Sequence, residues 1–189
     1  MNASEEQERE SSEWNVRELS AGEFDALSAA SEYGGFQQTS EMAALAQSEG
    51  MQTQYVGLVD SHDVPVAGAL VAFSQGRFGV EGSLWLGPLC NGNDGEQMTA
   101  LTDGLREVAE RVHAISLTCW PNQVYCVRDS QGKVMAEPND EMVREYERLG
   151  WKHAGFARGY GALMNRWNYV KDLREFSNAG ELLASYAKN

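Results

Sequence analysis

Few side chains in this sequence stand at spacings that support chemistry. The three cysteines, Cys90, Cys119 and Cys126, show no C-x-x-C spacing, and the three histidines, His62, His113 and His153, lie scattered. Neither set builds a structural zinc site or a disulfide framework. There is no Walker loop, Rossmann fingerprint, Gly-x-Ser-x-Gly elbow or H-E-x-x-H. A pyrophosphate-binding loop of the form Arg/Gln-x-x-Gly-x-Gly/Ala would aim backbone N–H groups at a phosphate from a helix start. Arg158-Gly159-Tyr160-Gly161-Ala162 comes nearest, but its spacing differs and no helical pattern follows it. The sequence thus predicts no self-contained catalytic centre, no resident metal or cofactor, and no coenzyme A site.

Candidate binding residues sit instead at turns and helix starts. Gln38 and Thr39 precede a helix, where they either line a pocket or cap the helix. Trp85 either stacks on a sugar or fills the core, and Gly87 and Pro88 either shape a turn or touch ligand. Asn91 and Asp94 follow a strand, a common place for ligand groups, although Asp94 also suits the N-cap of the next helix. Arg158 and Arg166, with Tyr160 and Tyr169, place cations beside aromatics, a pattern suited to phosphate or carboxylate and equally to ordinary surface pairing.

The elements that must position these residues follow from periodicity. Residues 1–13 form an acidic Ser/Glu-rich leader without periodicity, expected to be disordered. Ser20 and Glu23 spell a capping box, followed at helical spacing by Phe24, Leu27 and Ala30 and stopped by Gly34-Gly35. A second helix starts near Thr39 or Ser40, turns Met42 and Leu45 inward, and ends at Gly50. Gln54–Asp60 and Val66–Phe73 form a hairpin, and Phe78–Leu86 a third strand. The best helix follows Asp94, with Met98, Leu101, Leu105, Val108, Ala109 and Val112 on one stripe. Ala114–Trp120 is expected as a buried strand, 122–138 as a loop, and Asn139 or Asp140 as the cap of a helix carrying Met142, Val143, Tyr146 and Leu149 inward. Strands near Trp151–Phe156 and Gly159–Asn165 and a helix over Ala179–Lys188 complete the set. This order gives the fold class α/β: a mixed, largely antiparallel sheet flanked by helices, with an element order that fits the splayed-sheet acyltransferase fold, GNAT (N-acetyltransferase)-like.

Charge narrows the partners. The 189 residues hold 28 Asp and Glu against 15 Lys and Arg, a formal charge of −13. Between Arg17 and Arg77 there is no base, while Glu18, Glu23, Asp25, Glu32, Glu41, Glu49, Asp60 and Asp63 fall within that stretch. Such a stretch repels a phosphate backbone, so DNA is excluded as an unaided partner. No apolar run reaches the ~18–20 residues that span a bilayer. The acidic N-terminus is also unlike a signal peptide, and a cytoplasmic location is expected.

Several strings recur in a telling order. Phe36-Gln37-Gln38-Thr39 comes first, then the hairpin, Leu86-Gly87-Pro88, and a strand ending in Trp120-Pro121. Leu149-Gly150-Trp151-Lys152-His153-Ala154-Gly155-Phe156 and Arg166-Trp167-Asn168-Tyr169-Val170-Lys171-Asp172-Leu173 follow. Over about residues 18–189 this series resembles the FemABX family, the aminoacyl-tRNA-dependent transferases that build peptidoglycan interpeptide bridges. The corresponding family strings are F-x-Q-S before a W-x-x-x-K helix, R-G-P, a strand ending in Asp-Pro, L-G-F-x-x-x-G and R-W-x-Y-V-x-D-L.

The resemblance implies two acyltransferase-like domains in tandem, of which this chain matches the first. Residues 14–173 would form that GNAT-like domain, and 174–189 a C-terminal helix or linker toward a second domain. The complete enzyme would take aminoacyl-tRNA as co-substrate and add an amino acid to the stem peptide of a lipid-linked or UDP-linked muropeptide. By resemblance the chain is an aminoacyltransferase, expected to be inactive as one domain; peripheral membrane association or a heterodimeric partner is compatible with it. The departures are specific. The family's helix lysine, thought to meet the diphosphate, aligns with Ala46, its Trp with Met42, the Arg of R-G-P with Leu86, and an acid with Asn91. Losing such cations removes charge-assisted bonds worth ~1.5–3 kcal/mol each. The charge must then come from Arg77, Arg158 or Arg166, or else the domain is a non-catalytic binding or partner module.

Overall fold

The computed structural model describes residues 14–90, 95–129, 131–155 and 171–186. The chain divides into two compact units, 1–154 and 155–189.

The first unit begins with β1 (Asn15–Glu18) and α1 (Ala21–Ala30). The Ser20–Glu23 box forms in full: Ser20 Oγ accepts from Glu23 N, and the Glu23 carboxylate accepts from Ser20 N at 2.8 Å. Glu23 also takes Arg17 at 2.6 Å, and the hydrogen bonds from Arg17 and Ser20 hold its carboxyl down at about 2. Arg17 reaches on to Asp63 at 2.8 Å, tying β1 and α1 to the hairpin turn.

A short 3-10 turn, Phe36–Gln38, leads into α2 (Ser40–Ser48). Of the two residues expected inward, Met42 packs against the core half-buried, but Leu45 does not. Leu45 is 48% exposed, while Ala43 and Ala46 are buried, because α2 lies close on β2 and β3 and presents its smallest side chains there.

The hairpin pairs β2 (Gln52–Val59) with β3 (Pro65–Gln75), antiparallel. β3 continues antiparallel to β4 (Val80–Trp85) and, further along its length, to the two-residue β5 (Leu89–Cys90). The amphipathic α3 (Gly95–Arg111) then crosses over and returns the chain as β6 (Ala114–Trp120), parallel to β4. The described strands run β1-β2-β3-β4-β6, with β5 beside β3: a mixed, largely antiparallel sheet, as the sequence predicts.

One core lies under α3, where Leu101, Leu105 and Val108 meet Val56, Leu58, Val71, Phe73 and Leu84. A second lies under α1 and α2, where Phe24, Leu27 and Ala43 meet Leu70 and Leu89. Helices thus cover both faces of β2–β3. The expectation that β6 is a buried strand is corrected: its residues are half-buried or exposed, and Ile115 is 57% exposed.

Past β6, residues 121–139 form the expected loop, with an isolated bridge between Arg128 and Val134. Asn139 caps α4 (Asp140–Arg148), accepting from Met142 N at 3.1 Å. Trp151–Gly155 continues without a strand ladder, and the strand expected over 159–165 lies outside the described residues. In the second unit α5 (Ala179–Ala184) is capped by Asn178.

Candidate functional site

The two parallel strands end together, with Trp85 and Trp120 as their last register pair. Partners in register share a face of the sheet, so both half-buried indoles stand on the same side. Beyond them the chains part. After Trp85 the backbone passes through Leu86 in the left-handed region (φ 53°) and the cis Gly87-Pro88 bond. It then rejoins β3 alone, as Gly68↔Leu89 and Ala67↔Cys90. β6 stops at Pro121, which cannot donate to a ladder. The crevice where parallel strands diverge at their carboxyl ends is where open α/β sheets place ligands.

Gln38 holds one wall. It is wholly buried, and its side chain stands in for the ladder that β3 and β4 lack at the kink. Oε1 accepts from Leu70 N at 2.9 Å, and Nε2 donates to Trp85 O at 2.9 Å and more weakly to Leu70 O at 3.4 Å. Gly87 packs on that amide so closely that a Cβ there would lie 2.8 Å from it. Gln38, Trp85, Gly87 and Pro88 therefore come together from the sequence set, with Gln38 fully engaged by backbone.

The start of α2 is likewise occupied. Thr39 Oγ1 accepts from Met42 N at 3.3 Å and donates to Phe36 O at 2.8 Å. The Asp25 carboxylate accepts from Ser40 N at 2.7 Å and from Ser40 Oγ at 2.5 Å. A protein carboxylate thus fills the place that would otherwise attract a phosphate. Ala46, where the family's lysine would stand, is 2% exposed and faces the core. Arg77 is exposed in the β3–β4 turn, over the Phe78 ring. That is the opposite end of β4 from the crevice, roughly 20 Å away by strand rise. Asn91, Asp94, Arg158 and Arg166 lie outside the described residues.

The other wall comes from residues that sequence reasoning did not select. Asn122, just past β6, donates through Nδ2 to Tyr33 O at 3.1 Å, joining this loop to the segment after α1. Gln123 follows, with Oε1 buried and unpartnered. From α4, Tyr146 enters among the thiols. Burial drives its phenol pKa far up, and Cys119 on β6, Cys90 on β5 and Tyr33 add to the shift. Burial also pushes the Cys119 thiol up to about 12, so it is a neutral packing group and not a nucleophile. Nothing in the sequence marked Tyr146 beyond its place on an inward helical stripe.

Among the described residues no cluster of three metal-ligating side chains occurs, and no helix is long and apolar enough to cross a membrane. At this end of the sheet the described residues present two half-buried indoles, Trp85 and Trp120, beside the fully engaged amide of Gln38.

The sequence model of the FemAB family matches residues 19–189. The chain belongs to the FemAB family. Among solved structures it is similar to FemX, with a TM-score of 0.62 at 18% identity over 77% of this chain and 34% of that one. It is also similar to a probable acetyltransferase, with a TM-score of 0.50 at 10% identity over 80% of this chain and 98% of that one. At these identities the likeness is one of fold, and it places this FemAB-family chain on the GNAT-like acyltransferase architecture. The chain spans about a third of the length of FemX. No curated protein sequence matches it.

Proposed function

We propose that this chain is the first acyltransferase-like domain of a peptidoglycan aminoacyltransferase, acting in the cytoplasm on a lipid-linked or UDP-linked muropeptide. In the complete enzyme an aminoacyl group passes from tRNA to an amine of the stem peptide. The new amide C–N bond forms as the ester C–O bond to the tRNA breaks; the amine's proton leaves and the tRNA hydroxyl gains one. The match to the FemAB family over residues 19–189 carries this reading. The acyl ester arrives activated, so the domain's share is positioning the acceptor. Trp85 and Trp120, paired at the carboxyl ends of the parallel strands, would supply aromatic surface for that share.

A second reading has its own support. With Asp25 on the α2 N-terminus, Ala46 in the core and Arg77 at the far end of β4, none of these three positions offers a cation for a diphosphate at the crevice. By that reading the domain is a non-catalytic module, scaffolding a partner enzyme.

Calorimetric titration of the chain with UDP-linked muropentapeptide separates the two. The first reading expects saturable binding, with no transfer when charged tRNA and lipid-linked precursor are added to this chain alone. Absence of binding would leave the scaffold reading standing. Amide formation by these 189 residues would overturn the requirement for a second domain.

A further inference from the structure

Two arginines share a cleft between α3 and the end of α4, and none of its lining residues belongs to the crevice described above. Thr99, Thr102, Asp103 and Arg106 recur at i, i+3, i+4 and i+7, so they lie on one face of α3. Arg148, Leu149 and Gly150 complete a cavity of about 330 Å³.

Most of the lining is already engaged. Arg106 donates through Nη1 to Asp103 at 2.7 Å and through Nη2 to Leu149 O, which closes the C-terminus of α4. Trp151 Nε1 donates weakly to Thr102 Oγ1 at 3.5 Å, and Thr99 Oγ1 donates to Gly95 O at 2.6 Å. Gly150 turns the chain in the left-handed region (φ 86°), and a Cβ there would lie 2.6 Å from Arg106 Nη2. Glycine at that position leaves room for Arg106 to cross the helix end.

Arg148 differs from its neighbours. It is exposed in the last turn of α4, and its guanidinium makes no hydrogen bond or ion pair among the described residues. Asp103 offsets Arg106, so the cleft keeps one net positive charge. That charge fits a monoanion. A polyanionic backbone is disfavoured, because the same two helices expose Glu96, Glu107, Glu110, Glu141 and Glu147. A carboxylate matches the fork of a guanidinium with two parallel N–H···O bonds, and a cavity of this size takes a small ligand.

We propose that this cleft binds the carboxylate of a small ligand, of the kind that ends a short peptide. Arg148 is its cation. Arg106, pinned by Asp103 and Leu149, is a second donor through the N–H groups those two bonds leave over. The site stands apart from the functional reading above and does not depend on it.

NMR titration of the chain with N-acetylalanine tests the site, with the uncharged N-acetylalanine amide as control. The carboxylate should shift the backbone signals of Leu149 and Gly150 saturably, with a Kd on the order of millimolar, as suits exposed ion pairs; the amide should not. Arg148→Gln should weaken binding about fivefold, and Arg148→Lys, which keeps the charge without the fork, should weaken it less. Both variants replace an exposed side chain and should keep the parent spectrum elsewhere. Inorganic phosphate should bind no more tightly than N-acetylalanine. Absence of saturable shifts with the carboxylate, equal shifts with the amide or tighter binding of phosphate would each overturn the proposal. So would unchanged affinity in Arg148→Gln, which would confine Arg148 to offsetting the dipole at the end of α4.

Discussion

Gln38, before α2, and Gln123, just past β6, present the same side chain, and the structure uses them in opposite ways. Gln38 is buried with both ends of its amide engaged by Leu70 and Trp85, bridging strands where the ladder is interrupted. Gln123 is buried with its carbonyl oxygen unengaged. A satisfied buried amide stabilises and rigidifies the fold, whereas an unsatisfied one costs stability until something binds it. The wall built around α1, α2 and β3 is thus a fixed frame. The segment after β6, by contrast, carries a buried acceptor that nothing engages. No residue of α4 is fully buried, while α1 and α2 together bury Phe24, Leu27, Ala43 and Ala46.

The sharpest way to break this contrast is to remove the frame's plug. Gln38→Leu leaves Leu70 N–H and Trp85 C=O unpaired in the interior and should cost about 2–5 kcal/mol, measured by urea denaturation. A loss below about 1 kcal/mol would mean that the kink at Leu86–Pro88 holds itself without Gln38. Gln123→Leu, by contrast, should not destabilise at all, and the opposite signs are the core of the comparison.

The opposite wall is expected to fail first in base. Cys119 and Tyr146 have folded pKa values above their unfolded ones, so their neutral burial supports the fold fully below pH ~9. Above that, the unfolded state loses protons that the folded state keeps. Stability should then fall by up to ~1.4 kcal/mol per pH unit for each group as pH rises toward 12. Cys119→Ala should flatten the first part of that decline in pH-dependent denaturation, and an unaltered profile would place the thiol in water.

The smallest effect belongs to the frame's entrance. Ser20→Ala removes the N-cap of α1 and should cost about 1 kcal/mol by thermal melting. It also removes the Ser20 hydroxyl's hydrogen bond to the Glu23 carboxylate, one of those that, with Arg17, keep Glu23 near 2. Glu23 supports the fold above its unfolded value of 4.5, and that support is lost as pH falls through about 2. The variant should therefore lose its acid resistance at a higher pH than the parent chain.

What could be read in advance was local. The Ser20–Glu23 box, the Asn139 cap and the α3 stripe depend on residues within a turn or two, and each forms where its spacing predicts. The β2–β3 hairpin follows from two β-rich runs joined by a short polar turn. The phase of α2 was not legible, because apolarity favours Leu45 whereas close packing against two strands selects Ala43 and Ala46. The exposure of Ile115 and other β6 residues was not legible either, since a strand's apolar residues do not say how much of it the fold covers.

For the site the division is sharper still. The sequence by itself marked Gln38, Trp85, Gly87 and Pro88 as belonging together, through an ordered series of short strings, and it established the family relationship. Their roles were decided only by tertiary structure. Gln38 meets Trp85 across 47 residues and Leu70 across 32. The parallel pairing that brings Trp85 beside Trp120 exists only because α3 carries the chain across the sheet. Asn122 likewise meets Tyr33 across 89 residues. Side-chain type and spacing specify what a residue can bond, but whether a bond is available depends on partners distant in sequence and close in space.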